Sequence, residues 1–277
     1  MVFWKRCRAL ALLGIFGGVA PAISEAGVMT VRVTVENLSP TNTVSFAPLR
    51  VGFHNGTFDS FNIGDPATAA IVSVAEGGSG NAWFPAFSAA EPNAVLGSVL
   101  PNPAGPLLPG GSGYQDFTFD PAVAGRFFTF ATMVVPSNDL FLGNDNPMGF
   151  ELFDPAGNLL INQIVQKAGQ IWDANSEVAD AANAAFVAGG NNDLRTAENG
   201  VVAFDFSELS TFDGLTTGAG YVFDSSLLNA NTDIYRISFS QVPEPSSFAL
   251  LGLGGIVLAG NRLRRRKALL TCSESQI

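Results

Sequence analysis

Met29-Thr30-Val31-Arg32-Val33-Thr34-Val35-Glu36-Asn37 sets valine at 31, 33 and 35 and polar residues between them. A two-residue period sends alternate side chains to opposite faces, so the stretch predicts a β-strand with one face in a core and the other in water. Further strand-like runs follow at Phe46–Phe53, Gln115–Phe119, Phe127–Val135, Gly149–Phe153, Val202–Phe206 and Ile234–Phe239. Between them lie turn signals such as Asn55-Gly56, Pro155-Ala156-Gly157-Asn158 and Asp213-Gly214. Two alanine-rich stretches, Asp65–Ala75 and Ser176–Val187, read as helices in long connections. Pro85–Gly113, with six prolines and five glycines, reads as a loop. The pattern predicts an all-β fold, an antiparallel β-sandwich with short helices in its loops, closed by pairing the first strand with strands near the end.

Composition narrows the possibilities. The chain has 277 residues and 47% hydrophobic content with 23 Phe, enough apolar surface for one sizeable aromatic-rich core. Residues 27–242 carry 6 basic and 21 acidic residues, about −15. Such a surface repels phosphate backbones and argues against a nucleic-acid partner. The cysteines are Cys7 and Cys272, outside this stretch, which excludes a thiol nucleophile, a cysteine zinc site and a disulfide scaffold there. His54 is the single histidine, so no multi-histidine metal site exists. Its place beside Asn55-Gly56 reads as a polar residue next to a hairpin.

Both ends read as targeting devices. Lys5, Arg6 and Arg8 precede the apolar run Ala9–Ala20, and small residues follow, which is the build of a secretory signal peptide over residues 1–26 with cleavage after Ala26. Cleavage after Ala22 and an uncleaved anchor are the other readings. At the far end, Pro243-Glu244-Pro245 precedes an apolar run, Phe248–Gly260, and then Arg262, Arg264, Arg265, Arg266 and Lys267. An apolar segment stalled in the bilayer with its basic flank inside leaves everything before it outside. This order over residues 243–267 resembles the PEP-CTERM sorting signal, followed here by a tail at 268–277. The resemblance implies processing by an exosortase-type enzyme, transient or retained inner-membrane anchoring, and a final place at the cell surface or outside the cell. An ordinary single-span anchor is the plainer reading.

The stretch Ala131–Gly143 runs from an apolar strand into Pro136-Ser137-Asn138-Asp139, then into Phe141 and Gly143. Further on stands Trp172-Asp173-Ala174-Asn175-Ser176-Glu177, with Thr196-Ala197-Glu198-Asn199-Gly200 after it. Together they resemble the spondin N-terminal (F-spondin) domain, in which a Pro-Ser-x-Asp-x-Phe-x-Gly strand end precedes an Asp-Ala-Gly-Thr-Asp/Glu loop. The resemblance implies a β-sandwich akin to calcium- and phospholipid-binding modules, with calcium held by Asp139, Asp173 and Glu177. Calcium takes six to eight oxygen ligands, which carboxylates from two loops with carbonyls and water can supply. Asn175-Ser176 stands where the family has Gly-Thr, and asparagine is the best substitute where positive φ is required. The competing reading is that these carboxylates cap loops and helix starts.

Asn144-Asp145-Asn146 and Asn191-Asn192-Asp193 lack the EF-hand order and read as turns, and Gly77-Gly78-Ser79-Gly80 as a flexible loop. The reading as a whole is a non-enzymatic adhesion or matrix module whose partners are extracellular polysaccharide or surface proteins. The alternative from another class is a secreted carbohydrate-active hydrolase using an unmarked carboxylate pair.

Overall fold

A computed structural model of the chain describes residues 27–191 and 193–243. The signal-peptide reading with Ala26, and the tail residues Glu244, Pro245, Arg264, Arg265 and Arg266 with the apolar run, lie outside these residues. Among the described residues no helix is long and apolar enough to cross a membrane.

The strands are β1 (Met29–Asn37), β2 (Ser45–Phe46), β3 (Leu49–His54), β4 (Val95–Val99), β5 (Ser112–Phe119), β6 (Phe127–Val135), β7 (Leu140–Gly143), β8 (Gln163–Lys167), β9 (Trp172–Asp173), β10 (Ala203–Phe204) and β11 (Asp233–Val242). They form two antiparallel sheets. One has the order β5-β1-β11-β8; the other runs β10-β9-β7-β6-β3-β4, with β2 paired to the end of β6. The expected closure of first strand on last is present, with Thr30 opposite Val242 and Asn37 opposite Tyr235.

The valines of β1 face inward as their spacing requires: Val31, Val33 and Val35 are buried, while Arg32, Thr34 and Glu36 are half-buried on the outer face. Opposite them the second sheet contributes Val51, Phe53, Phe128 and Phe130. Phe128 meets Phe239 edge-on at 4.9 Å, and Phe46 meets Tyr235 at 4.6 Å.

β6 does not alternate, because it is covered on both sides. Helix α1 (Ala69–Gly77) lies on its outer face, and α2 (Trp83–Ala90) packs on α1 and over β3, where Phe87 meets His54; together they enclose a second core around Ile71, Val74, Trp83, Phe87 and Phe141. Thr68 caps α1 by accepting from the Ile71 N–H, and Gly78 ends it at φ +58. Gly78 thus serves as a helix terminator within what reads from sequence as a free loop.

Several expectations need correction. The Phe46–Phe53 run breaks at Ala47-Pro48 into β2 and β3. Gly149–Phe153 forms isolated bridges only, at Glu151 and Phe153. Ser176–Val187 is not a helix: Glu177 bridges to Ala197, Ala185 to Ser137, and Asp180 folds back to accept from the Ala182 N–H. Pro85–Gly113 contains most of α2 and all of β4. His54 is fully buried, held between Glu91 at 3.1 Å and Thr129 at 2.8 Å.

The strand register defines two poles. Met29, Phe119, His54, Phe127 and Val242 share one pole, from which Pro243 emerges exposed. Asn37, Asp233, Lys167 and Val135 lie toward the other.

Candidate carboxylate centre

At that second pole β6 runs into the turn carrying Asp139, and β7 then pairs with β9 so that Leu140 stands opposite Asp173. β10 pairs with β9 on its far side, Ala203 opposite Asp173. Just after β10, Asp205 accepts from the Ser207 and Glu208 N–H groups and starts a short 3-10 helix, Ser207–Phe212. This places Glu208 beside Asp173. One carboxylate oxygen from each of Asp139, Asp173 and Glu208 lies within 4.8 Å of the other two.

Asp139 is fully buried. Its Oδ2 accepts from the Ser176 N–H at 2.7 Å and the Glu177 N–H at 3.0 Å, with the Ser176 hydroxyl at 3.1 Å. Its Oδ1 has no protein donor, and neither has Oε1 of Glu208. Asp173, also buried, accepts from the Asn175 N–H at 2.7 Å. Burial pushes all three carboxyls above their ordinary range, Glu208 furthest, because desolvation and neighbouring negative charges both disfavour ionisation. Three carboxylates this close, two of them buried and the third half-buried, favour protons or a cation between them. An all-oxygen set suits a hard cation.

Glu177 lies next to this set without being one of it. Its side chain is buried, Oε1 accepts from Asn138 Nδ2 at 3.1 Å, and Oε2 lies 3.7 Å from Arg195 Nε. Its backbone N–H supports Asp139. Glu208 escapes a reading of motifs because it comes thirty-five residues after Asp173 in an unremarkable Asp-Phe-Ser-Glu stretch. The one signal is Asp205, whose spacing marks a capped turn that ends the strand there.

Asn175 adopts φ +48, a left-handed conformation that asparagine tolerates better than most residues with a side chain. Its Nδ2 donates to the Val201 carbonyl, tying the loop to 196–201. Asn175→Val should therefore lower stability by about 1–3 kcal/mol, since a β-branched residue is strained there, whereas Asn175→Gly should stay within about 1 kcal/mol of wild type. Thermal melts of the two variants check this; equal losses would mean the backbone conformation is not the constraint.

Elsewhere the acidic loops behave as turns. Asn144 is a buried bracket: Oδ1 accepts from the Phe130 N–H, and Nδ2 donates to Thr129 and to the Asn146 carbonyl. Asp193 accepts nothing described, but its own N–H donates to Asn191.

Compared with known protein families, residues 241–267 match the model of the PEP-CTERM protein-sorting motif. No curated protein matches the chain. The matched segment contains Pro243, Glu244, Pro245 and the arginines 264–266; it starts on the last two residues of β11, Gln241 and Val242, and otherwise lies in the tail. The sandwich is read from its own geometry. The tail makes this an exported protein sorted at the membrane by way of an exosortase.

Proposed function

We propose that the sandwich is a calcium-supported, non-enzymatic binding domain of the spondin type, displayed at the cell surface or in the extracellular matrix after sorting. The observation that carries this is the fully buried Asp139 with Oδ1 lacking any donor, beside Asp173 and Glu208. The sequence resemblance nominates Asp139, Asp173 and Glu177; the geometry favours Asp139, Asp173 and Glu208 as ligands, with Glu177 orienting Asp139. Calcium there would tie together β6, β9 and the 3-10 helix and hold the loops of one pole in a fixed arrangement. The hydrolase alternative is less well supported. Its carboxylate pair is marked by no motif, whereas the metal reading has named candidate ligands.

The test is thermal melting of the purified protein with calcium in EDTA-stripped buffer. At a hundredfold excess over Kd, calcium adds about 2.7 kcal/mol, roughly 5–10 °C for a domain of this size. Asp139→Ala or Asp173→Ala should remove the rise. A wild-type midpoint indifferent to calcium would sink the proposal.

A further inference from the structure

A cavity lies at the same pole, away from the carboxylates. It encloses about 520 Å³, within the range of small-molecule sites, between the proline-rich loop 101–112 and a second wall formed by Phe186 and Gly218-Ala219. No charged residue lines it. In a domain of about −15 charge, a cavity without a single ionisable wall is selective by itself, because a charged ligand would be desolvated with no counter-charge.

Both walls are built to hold still. The loop is pinned at several points: Leu107 exchanges backbone hydrogen bonds with Phe46, the Asn37 side chain donates to the Leu107 carbonyl, Gly110 donates to Asn37, and Asn102 donates to Ser112. Across the cavity, Phe186 sits at φ +66, which a bulky aromatic adopts only when its surroundings impose it. They do: Gly218 donates to the Phe186 carbonyl at 2.7 Å, and Ala185 and Ala188 donate to Ser137 and Thr216 on either side. The ring is half-buried, and a side chain at Gly218 would meet it at 3.2 Å. The strained backbone at Phe186 holds this residue in the cavity wall, where its ring also meets Tyr221 edge-on at 6.5 Å. Asn102 and Ser112, both exposed, contribute a carboxamide and a hydroxyl whose side-chain groups bond to nothing among the described residues.

We infer that this cavity binds a neutral sugar ring of an extracellular polysaccharide, with Phe186 as the stacking platform and Asn102 and Ser112 as its hydrogen-bonding edge. An aromatic face takes the C–H face of a pyranose, and an amide and a hydroxyl match its hydroxyl groups in both donor and acceptor roles. The rigid walls spare the ordering cost that a mobile loop would impose. The inference rests on the reading of the domain as a binding module and is independent of calcium.

The test uses the exported protein purified from cells, titrated with neutral gluco-, manno- and galacto-oligosaccharides and with a polyuronate, in calcium and in EDTA. At least one neutral oligosaccharide should bind. Phe186→Ala should weaken it about tenfold or more, and Phe186→Trp should retain it. Because removing the strained ring can perturb the fold, Ala219→Trp, at an exposed cavity residue, provides a second block that should also abolish binding. Absence of binding to every neutral oligosaccharide, binding of the polyuronate alone, or binding untouched by both Phe186→Ala and Ala219→Trp would overturn the inference. Loss of the calcium response with sugar binding intact would strike only the metal proposal.

Discussion

Replacing Glu91 with alanine should lower stability by about 3–5 kcal/mol, the range for breaking a buried charged network by removing one member. Glu91 ends α2 and reaches across to the turn after β3. Its Oε2 accepts from the Asn55 N–H at 2.6 Å, and its Oε1 accepts from Thr57 at 2.6 Å and Phe58 at 3.0 Å, with His54 Nδ1 at 3.1 Å. Removal strands three backbone donors under a residue that is only 6% exposed. Burial alone would raise the Glu91 carboxyl, but the Asn55 N–H, His54 and Thr57 outweigh it and hold it at about 2. Burial pushes His54 below its ordinary value, so it is held neutral. Both shifts act in the same direction. A depressed carboxyl stabilises fully above the ordinary carboxylate range and loses that stabilisation as pH falls from about 4.5 toward 2; a depressed histidine begins to cost stability below about 6.5. Urea melts from pH 7 down to 3 should show wild type losing stability with acid and Glu91→Ala starting lower with a shallower slope. Matching curves would show that the network contributes nothing.

The carboxylate centre predicts the opposite pH dependence. For Asp173 and Glu208, the folded carboxyls sit above their unfolded values, so the native state holds more protons across that window. Stability therefore falls as pH rises from the ordinary carboxylate range toward neutral and beyond. In EDTA, the melting midpoint should drop between pH 5 and pH 8.5. Glu208→Gln removes one charge while keeping the shape; it should stabilise the metal-free protein at pH 8 by on the order of 2–4 kcal/mol and flatten the pH slope. The same variant should weaken the calcium response, which in wild type should be larger at pH 8 than at pH 5 because the metal must displace protons. A metal-free midpoint that is flat with pH, or a Glu208→Gln variant less stable than wild type at pH 8, would mean the three carboxylates do not repel one another. Glu91 and Glu208 thus make a paired experiment, one carboxylate that the fold needs charged and one that it tolerates charged only with help.

How much of this can be read from the chain follows from where the information lies. Met29–Asn37 declares itself because one face of β1 is wet, which preserves the alternation. β6 shows a plain apolar run, and nothing local says that helix α1 covers its outer face. The helical reading of Ser176–Val187 fails because alanine content reports intrinsic propensity, whereas Asn175 at positive φ and the bridge from Glu177 to Ala197 commit the segment to the sheet's end. Asp139 and Asp173 are nominated by the resemblance of their segments to the spondin N-terminal domain, which nominates Glu177 as well, a neighbour of the set and not a member of it. Glu208 is not, since its position depends on β10 pairing with β9, a contact between residues thirty apart or more. His54 reads only as a polar residue next to a hairpin for the same reason: its partners Glu91 and Thr129 are distant in sequence and carry no mark of one another.

The eight-rung pairing of Thr30–Asn37 with Val242–Tyr235 has a mechanical consequence. A sorting tail beginning at Pro243 grips the domain by β11, and the cavity and carboxylates lie at the opposite end, about 25 Å further along the strands at ~3.3 Å per residue. A pull on the tail therefore runs lengthwise down β11. β11 is flanked by β1 on one side and β8 on the other, so the load meets two ladders in shear, where the rungs resist together instead of opening one by one like a zipper. With the strand that carries the tail in the interior of its sheet, the domain resists best a pull applied through that tail.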